Sequence, residues 1–412
     1  MIIGVPISWS LIGSSILAIF AMGNMPISVV CQRVFNGANS FSLLAIPAFV
    51  VAGDIMSAGG ISKRLVDMVS VFIGRIQGNL GIVSIIACTL FASLSGAAVA
   101  TTAAIGGIMY PEMEKRGYPK DFSAAVQAIG GTLGPVIPPS ILFVMYGIST
   151  GNSIPKLLMS GIIPGIFTCL VLCFIVYIIA KKENMPKSDE KYTIREKFAS
   201  VKNAFFAILM PVIILGGIYS GKFTPTESAG VAVIYGIIVS LFIYRELDIK
   251  GLIEIFKKSA SSSANLLILV AGAQLFGWLV AYYNIPTAVA NMILNIASSK
   301  LMFLLLVNLI LFIAGMFMEA VALVLIMAPI LAPLAGTFGV DPIHFGFIVV
   351  YMLCLGIATP PFGPCLFVAC GISKQPFLLV SKRLLPFIAV QAACALIFSF
   401  VPEIVTWLPS FM

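Results

Sequence analysis

The sequence repeats its own pattern of glycines and prolines. When the chain is shifted against itself by 222 residues, residues 95–164 align with residues 317–386 without a gap. The shift superimposes Pro111 on Pro333, Gly117 on Gly339, Gly134 on Gly356, Pro138-Pro139 on Pro360-Pro361, and Pro164 on Pro386. Glycine and proline control backbone geometry more strongly than other residues, so shared spacing predicts a shared chain path. The chain is therefore expected to contain two structural copies.

The composition places both copies in a membrane. Of the 412 residues, 60% are hydrophobic and 10% are charged, whereas a soluble domain is about 25% charged. The apolar runs are long and continuous rather than alternating, which favours helices over a barrel. We therefore predict an all-α integral membrane protein. In such a protein, two copies with broken helices indicate a transporter whose site lies between them.

The net charge of +8 reflects orientation in the membrane rather than a nucleic-acid partner. Twenty of the 24 Lys and Arg residues lie in short loops that crossing counts place on one side, if the linker 181–202 is cytoplasmic. The remaining four, predicted to lie outside, are Arg33, Lys156, Lys222 and Lys300. This distribution follows the positive-inside rule.

Each copy is predicted to contain a re-entrant hairpin and a broken helix. Residues 79–116 are too long for one span and are interrupted by Ser93-Leu94-Ser95-Gly96, while Pro138-Pro139 cannot continue a helix. The predicted parts are a first repeat 1–180 with hairpin 79–116 and broken helix 121–150, a linker 181–202, and a second repeat 203–412 with hairpin 300–338 and broken helix 344–372. Crossing counts make the second repeat inverted relative to the first.

Further spans and amphipathic segments complete the predicted plan. Spans are expected at residues 2–22, 41–57, 157–180, 204–220, 226–244, 263–283 and 384–408. Residues 60–77 and 248–258 mix Lys and Arg with apolar residues, which is typical of helices in the membrane interface.

The hairpin tips and helix breaks are expected to form the functional site. Helix N-termini suit a carboxylate, and helix C-termini and unwound carbonyls suit Na⁺. The substrate-binding candidates are Ser93, Ser95, Ser140 and Glu319. Two Na⁺ sites are expected, one at Ser95, Gly96, Gly134 and Ser140 and one at Gly315, Gly356, Thr359 and Gly363. The structural alternatives are serines bonded to their own helix and a Glu319 carboxylate that only holds the hairpin tip.

No pattern in the sequence favours an enzyme. The chain has a single histidine, His344, and contains no HExxH motif, phosphate-binding glycine loop or paired acids at catalytic spacing. Asp54 and Glu227 lie near the ends of predicted spans, where a solvated or capping role is expected.

Several motifs together resemble the large membrane subunit of TRAP transporters, the tripartite ATP-independent periplasmic systems. They are the stretch Phe223–Gly236, the stretch Gly130–Ile141, the tip Gly315-Met316-Phe317-Met318-Glu319, and Thr359-Pro360-Pro361-Phe362-Gly363. The resemblance implies an elevator-type secondary transporter in the bacterial inner membrane, driven by Na⁺ bound at each hairpin and broken-helix pair. It also implies a small four-helix membrane subunit and a soluble periplasmic binding protein that delivers an organic acid.

The chain departs from the family pattern at two places. Ala97-Ala98 stand where family members often have further serines, so any substrate contact by those hydroxyls is absent or replaced. The first helix also begins a few residues later than is usual, which is consistent with a short start or a separated small subunit.

Two other functions are compatible with parts of the sequence. A stand-alone ion-coupled carrier of organic anions would need no binding protein, and a membrane scaffold or receptor would not need re-entrant tips. The substrate is open among sialic acid, a C4-dicarboxylate and other sugar or keto acids.

Overall fold

The computed structural model describes residues 6–23, 25–187, 192–285, 287, 289, 293, 297 and 299–412. Residues 2–5 of the first predicted span and residues 188–191 of the predicted linker lie outside the described residues. Across the described chain, regular structure is helical apart from one isolated bridge between Gln77 and Lys187. Within the described residues, seven helical segments are long and apolar enough to cross a membrane: Phe41–Ala58, Ile154–Lys182, Ile194–Tyr219, Pro225–Ile243, Ile249–Tyr282, Ala320–Thr337 and Phe377–Phe400. The predicted all-α membrane fold is confirmed.

The first half of the chain contains ten α-helices within its described residues. They are α1 Ile7–Met22, α2 Ser28–Ala38, α3 Ala45–Ala58, α4 Ile61–Ile73, α5 Asn79–Ser95, α6 Ala98–Lys115, α7 Lys120–Gly131, α8 Ile141–Thr150, α9 Ile154–Ser160 and α10 Ile162–Lys182. A 3₁₀ turn at Phe41–Leu44 leads into α3.

The second half follows the same plan. Its described helices are α11 Ile194–Tyr219, α12 Pro225–Ile238, α13 Ile249–Tyr282, α14 Lys300–Gly315, α15 Ala320–Thr337, α16 Pro342–Gly356, α17 Pro364–Ser373, α18 Phe377–Phe400 and α19 Glu403–Thr406. A π-helical turn at Val239–Ile243 extends α12, and a 3₁₀ turn at Pro409–Phe411 ends the chain.

The internal repeat is visible in the helix starts. Helices α6 and α15 begin at Ala98 and Ala320, and helices α7 and α16 begin at Lys120 and Pro342, each 222 residues apart. Helices α5 and α6 form hairpin one, and α7 and α8 form broken helix one. Helices α14 and α15 form hairpin two, and α16 and α17 form broken helix two. Both predicted hairpins and both predicted broken helices are present.

Each hairpin tip contacts the break of its own broken helix. The backbone N–H of Ile141 donates to the carbonyl of Gly96 over 3.4 Å, and the N–H of Phe362 donates to the carbonyl of Met316 over 3.1 Å. Helix α7 has 12 residues, so it rises about 18 Å, less than the roughly 30 Å of a hydrocarbon core. A break after so short a helix is expected to lie inside the membrane, and the contacting tip is expected at the same depth.

The structure differs from prediction at the second amphipathic segment. Residues 248–258 and the span 263–283 were expected to be separate, but α13 is one continuous helix of 34 residues. The serine-rich stretch between them contacts α3, because the Ser259 hydroxyl donates to Asp54 Oδ2 over 2.6 Å.

The predicted linker 181–202 contains regular structure in its described residues. Helix α11 starts inside it, because Thr193 and Glu196 form a reciprocal capping box. The segment after α10 docks on the base of hairpin one, where Gln77 Nε2 donates to the Met185 carbonyl over 3.2 Å. The Tyr118 hydroxyl donates to the carbonyl of Pro186 over 2.9 Å.

The remaining helices pack around the hairpins and broken helices. Helices α1, α2 and α3 pack against α13, helix α12 packs against α3, and α11 packs against α4. Helix α3 reaches the tip of hairpin one, where a Cβ on Gly53 would lie 3.2 Å from the Ser95 Cα. Helix α13 packs against α15 of hairpin two. These surrounding helices therefore contact both hairpins.

Candidate functional site

The first pair consists of the hairpin-one tip, residues 93–98, and the break at residues 132–140. Gly96 closes α5 with a φ of 62°, a left-handed conformation that glycine adopts without a Cβ penalty. A Cβ at Gly96 would also collide with the Pro139 carbonyl oxygen. Gly134 approaches the same tip, since a Cβ there would lie 2.7 Å from the Ala97 carbonyl oxygen. The two glycines let tip and break come into backbone contact.

Hydroxyl groups lie on both sides of this contact between the tip and the break. Ser95 Oγ lies 3.0 Å from Thr101 Oγ1, and the Thr101 hydroxyl donates to the Ala97 carbonyl over 2.8 Å. Ser140 is the N-cap of α8, where its Oγ accepts from the Phe143 N–H over 3.4 Å. Of the predicted residues, Ser95, Gly96, Gly134 and Ser140 are therefore brought together.

Sequence reasoning missed Thr101. Its position four residues after Ala97 is the spacing at which a helical threonine bonds the carbonyl one turn back, and that signal was available. Ser93 matches the structural alternative given for the serines, a bond to their own helix, because its hydroxyl donates to the Leu90 carbonyl over 2.6 Å.

The second pair consists of the hairpin-two tip, residues 315–320, and the break at residues 357–363. Gly315 and Gly356 are in backbone contact, and a Cβ on Gly356 would lie 2.6 Å from the Gly315 carbonyl carbon. The Thr359 hydroxyl donates to the Leu355 carbonyl over 2.8 Å. Gly363 precedes α17 with a φ of 33°. Gly315, Gly356, Thr359 and Gly363 are thus grouped as the sequence predicted.

Glu319 is the N-cap of α15. Its Oε2 accepts from the N–H of Ala322 over 3.0 Å, so the carboxylate supplies the negative charge that a helix N-terminus attracts. This bond matches the role of holding the hairpin tip that the sequence left open as an alternative. The equivalent position in the first repeat is Ala97, which caps α6 without any side-chain hydrogen bond.

The four helix N-termini at the two pairs are consequently not equivalent. Ser140 caps α8 and Glu319 caps α15, whereas α17 begins with Pro364, which has no N–H. Helix α6 keeps its first N–H groups without a capping side chain, and its second residue, Val99, is 44% exposed. Helices α6 and α17 therefore begin without a side-chain cap, and only α6 keeps an N–H on its first residue.

The polar groups around each pair present oxygen atoms as ligands for a cation. The first pair contains the hydroxyls of Ser95, Thr101 and Ser140 and the backbone carbonyls of the tip. The second pair contains the Thr359 hydroxyl and the backbone carbonyls of its tip and its break. Hydroxyl and carbonyl oxygens suit a hard cation such as Na⁺. An exposed helix N-terminus beside such a cation suits an anionic group.

The other candidate ionisable residues have structural roles. Glu227 forms a capping box with Thr224, in which its Oε2 accepts from the Thr224 N–H over 2.8 Å. Asp54 accepts from Ser259 as described above. His344 is buried, with its Nε2 2.8 Å from the Phe398 carbonyl oxygen.

Hairpins that meet broken helices inside a bundle of apolar helices are typical of helical membrane transporters. The chain belongs to the family described as tripartite ATP-independent periplasmic transporter, DctM component, which matches residues 1–404. The relatives below carry the names of transporter permease proteins, so the prediction that the chain is not an enzyme is confirmed.

Two relatives and one solved structure illustrate the similarity. The chain is 41% identical over 404 residues to the isethionate TRAP transporter permease protein DctMQ of Oleidesulfovibrio alaskensis, covering 98% of this chain and 64% of that protein. It is 36% identical over 426 residues to the C4-dicarboxylate TRAP transporter large permease protein DctM of Rhodobacter capsulatus, covering 100% and 97%. The crystal structure of the Alcanivorax borkumensis YdaH transporter matches the fold with a TM-score of 0.66 at 14% identity, over 93% of this chain and 90% of that one.

Proposed function

We propose that the chain is the large membrane subunit of a Na⁺-coupled importer of an organic acid. In this proposal it works in the bacterial inner membrane with a small four-helix membrane subunit and a periplasmic binding protein. Membership of the DctM family is the observation that carries the proposal. The oxygen-only groups at the two pairs support the choice of Na⁺.

The coupling ions bind where each tip contacts its break. Ser95, Gly96, Gly134 and Ser140 hold one Na⁺, joined by Thr101, whose hydroxyl lies next to Ser95. Gly315, Gly356, Thr359 and Gly363 hold the other. A cation at these contacts draws tip and break together, so ion binding and closure of the site are coupled.

The acid group of the substrate binds at the start of α6. That N-terminus carries partial positive charge, and no side chain caps its first N–H groups. The relatives described above are named for isethionate and for C4-dicarboxylates, so the substrate class is a small sulfonate or carboxylate. Ser95 lies beside this N-terminus and provides a neutral hydrogen-bonding group.

High-affinity capture is expected to come from the binding protein. Residues 93–98, 132–140, 315–320 and 357–363 contain no Lys or Arg. A helix macrodipole contributes about 0.3–1 kcal/mol when exposed and about 2 kcal/mol when partly buried. Micromolar affinity corresponds to about 8 kcal/mol. Helix ends and Na⁺ therefore provide only weak binding. The binding protein provides the additional affinity that capture at micromolar substrate needs.

Transport follows an elevator mechanism in this proposal. The hairpins and broken helices carry the site and move together relative to the helices that surround them, namely α1–α3 and α11–α13. The inverted relation of the repeats supports this, because it gives the two sides of the membrane equivalent hairpins.

The test is uptake into proteoliposomes that contain the large and small subunits. Sulfonates, dicarboxylates, sugar acids and keto acids are supplied at micromolar concentration, with and without the cognate binding protein. We expect uptake only with an inward Na⁺ gradient and with the binding protein. Uptake that is unchanged when K⁺ replaces Na⁺ on both sides would contradict the coupling. Saturable micromolar uptake without the binding protein would favour a stand-alone carrier.

A further inference from the structure

A polar cavity of about 320 Å³ lies away from both pairs. Its polar lining consists of Arg33 and Asn36 of α2, Ser149 of α8, and Gln274 and Trp278 of α13. Leu325 and Pro329 of α15 form an apolar wall. Among the described residues, no Asp or Glu lines this cavity, so its charge is that of Arg33.

Arg33 is oriented by an aromatic ring rather than by an acid. Its guanidinium carbon lies 4.7 Å from the centre of the Trp278 ring. Stacking on an aromatic face holds the guanidinium plane while its N–H groups stay available at the edge. An edge of this kind matches the paired oxygens of a carboxylate or sulfonate.

The cavity lies between the two groups of helices that the elevator proposal separates. Arg33, Gln274 and Trp278 belong to the surrounding helices, whereas Ser149 and Pro329 belong to broken helix one and hairpin two. Helices α2 and α13 are in close contact here, because a Cβ on Gly37 would lie 2.8 Å from the Gln274 Cβ. Arg33 is one of the four basic residues that the charge distribution places on the outer face.

The first cavity joins a second cavity beside broken helix one and hairpin two, and the two together form the outer groove. The second cavity lies on the side of the helices that move in the elevator proposal. It has a volume of about 360 Å³ and shares Ser149 and Pro329 with the first cavity. Tyr146 lines it, and the buried Tyr146 hydroxyl has no hydrogen-bond partner among the described residues. The groove therefore runs from a cation on the surrounding helices to Tyr146 on broken helix one.

We propose that this outer groove is a transient binding site for small organic anions, in which the acid group pairs with Arg33. The side-chain amides of Asn36 and Gln274 donate to the same group. The site holds the released acid on the outer face before it reaches the hairpin tips. This role in transport rests on the proposed function, whereas the affinity of the groove for anions does not.

Fluorescence quenching of Trp278 tests the anion site directly, with iodide as the probe. The full chain is placed in lipid nanodiscs, with Trp9→Phe and Trp407→Phe, so that Trp278 is its only tryptophan. Quenching by iodide is compared with quenching by neutral acrylamide at equal ionic strength. We expect Arg33→Gln to lower iodide quenching about two- to fivefold, the size of an exposed ion pair, and to leave acrylamide quenching unchanged. Arg33→Lys keeps the charge and should retain most of the iodide effect.

Lys222→Gln is the matched control, because it removes another outer cation that does not line the groove. Equal iodide quenching in the parent, Arg33→Gln and Lys222→Gln proteins would overturn the proposal.

Uptake measurements then test the role in transport. With the binding protein present, Arg33→Gln should raise the half-saturating substrate concentration about two- to fivefold and leave the maximal rate unchanged. A weaker affinity for the binding protein, with iodide quenching unaffected, would overturn the proposal and assign Arg33 to protein docking. If no acid is taken up at all, the proposed function fails, while the iodide result still decides whether the groove binds anions.

Discussion

The two hairpin and broken-helix pairs share one backbone plan but bury opposite parts of it. In the first pair, residues 131–140 around the break are all buried, while the start of α6 is open at Val99. In the second pair, Phe317 at the tip is 62% exposed and Phe362 at the break is 45% exposed, while the start of α15 is buried. An internal repeat therefore conserves the chain path and not the surface that each copy presents.

The difference is concentrated at one repeat position. Glu319 supplies a resident carboxylate to the N-terminus of α15, and Ala97 leaves the N-terminus of α6 without one. Two equal anion sites would exist if both N-termini were free. Instead, the protein fills one with its own side chain, and the other is the site proposed for the acid group of a substrate.

The largest expected effect comes from copying the Glu319 arrangement into the first pair. Ala97→Asp places a resident carboxylate at the α6 N-terminus, which should stabilise the protein by about 1 kcal/mol as an N-cap. Like charges about 4 Å apart repel by about 4 kcal/mol at an effective dielectric constant of about 20. We therefore expect uptake at limiting substrate to fall about a hundredfold or more.

Ala97→Asn is the control for that variant, because it caps the helix without adding charge. Thermal unfolding and uptake are measured for both. Equal uptake by the Asp and Asn variants would place the acid group away from α6.

The next effect concerns the close backbone contacts of both pairs. Gly96→Ala combines a left-handed φ, which costs about 1–2 kcal/mol, with an overlap that costs about 1–3 kcal/mol. Gly151→Ala is the control, since Gly151 has a φ of +73° and no neighbour within 4 Å of its added Cβ. We expect only Gly96→Ala to lose uptake.

The second pair tests the overlap alone. Gly356 is helical and has no φ penalty, so Gly356→Ala should cost about 1–3 kcal/mol through overlap with Gly315. Gly336→Ala, with nothing within 4 Å, is its control. Unfolding temperatures that agree between Gly356→Ala and Gly336→Ala would contradict the close contact at the second pair.

A smaller effect is expected at Glu319. Glu319→Ala removes the cap of α15 and should lower the free energy of unfolding by about 1 kcal/mol, with reduced uptake and normal insertion in the membrane. Glu319→Gln keeps an acceptor for the Ala322 N–H and should recover most of the stability. Full uptake in both variants would leave Glu319 with a structural role only.

The smallest expected effects separate two serines of the first pair. Ser140→Ala removes the N-cap of α8 and should destabilise the protein by about 1 kcal/mol, with a higher Na⁺ concentration for half-maximal uptake. Ser93→Ala removes only a bond to its own helix, so we expect wild-type uptake and Na⁺ dependence. A shift in Na⁺ dependence for Ser93→Ala and not for Ser140→Ala would reverse the assignment of these side chains.

The backbone plan was predictable because glycine and proline fix it locally. The repeat of Gly134 at Gly356 and of Pro138 at Pro360 located both breaks. The contacts between distant helices were not predictable in this way. The sequence predicted a segment 248–258 and a span 263–283, and only the position of Asp54 on α3 shows that Ser259 between them has a partner inside the bundle.

The same limit explains what was missed in the site. The sequence predicted a site at the hairpin tips and helix breaks but did not determine which of the helix N-termini there a side chain caps. The alignment of Ala97 with Glu319 contained that information, since only one of these residues has an acceptor. The capping box of Thr193 and Glu196 was likewise present in the sequence inside the segment predicted as a linker.

The length of α13 links the protein to the thickness of its bilayer. Its 34 residues extend about 51 Å, whereas the hydrocarbon core is roughly 30 Å thick. The excess length must lie among the lipid headgroups or be absorbed by tilt. Because α1, α2 and α3 all pack on this one helix, a change in lipid chain length that tilts α13 would tilt all four together.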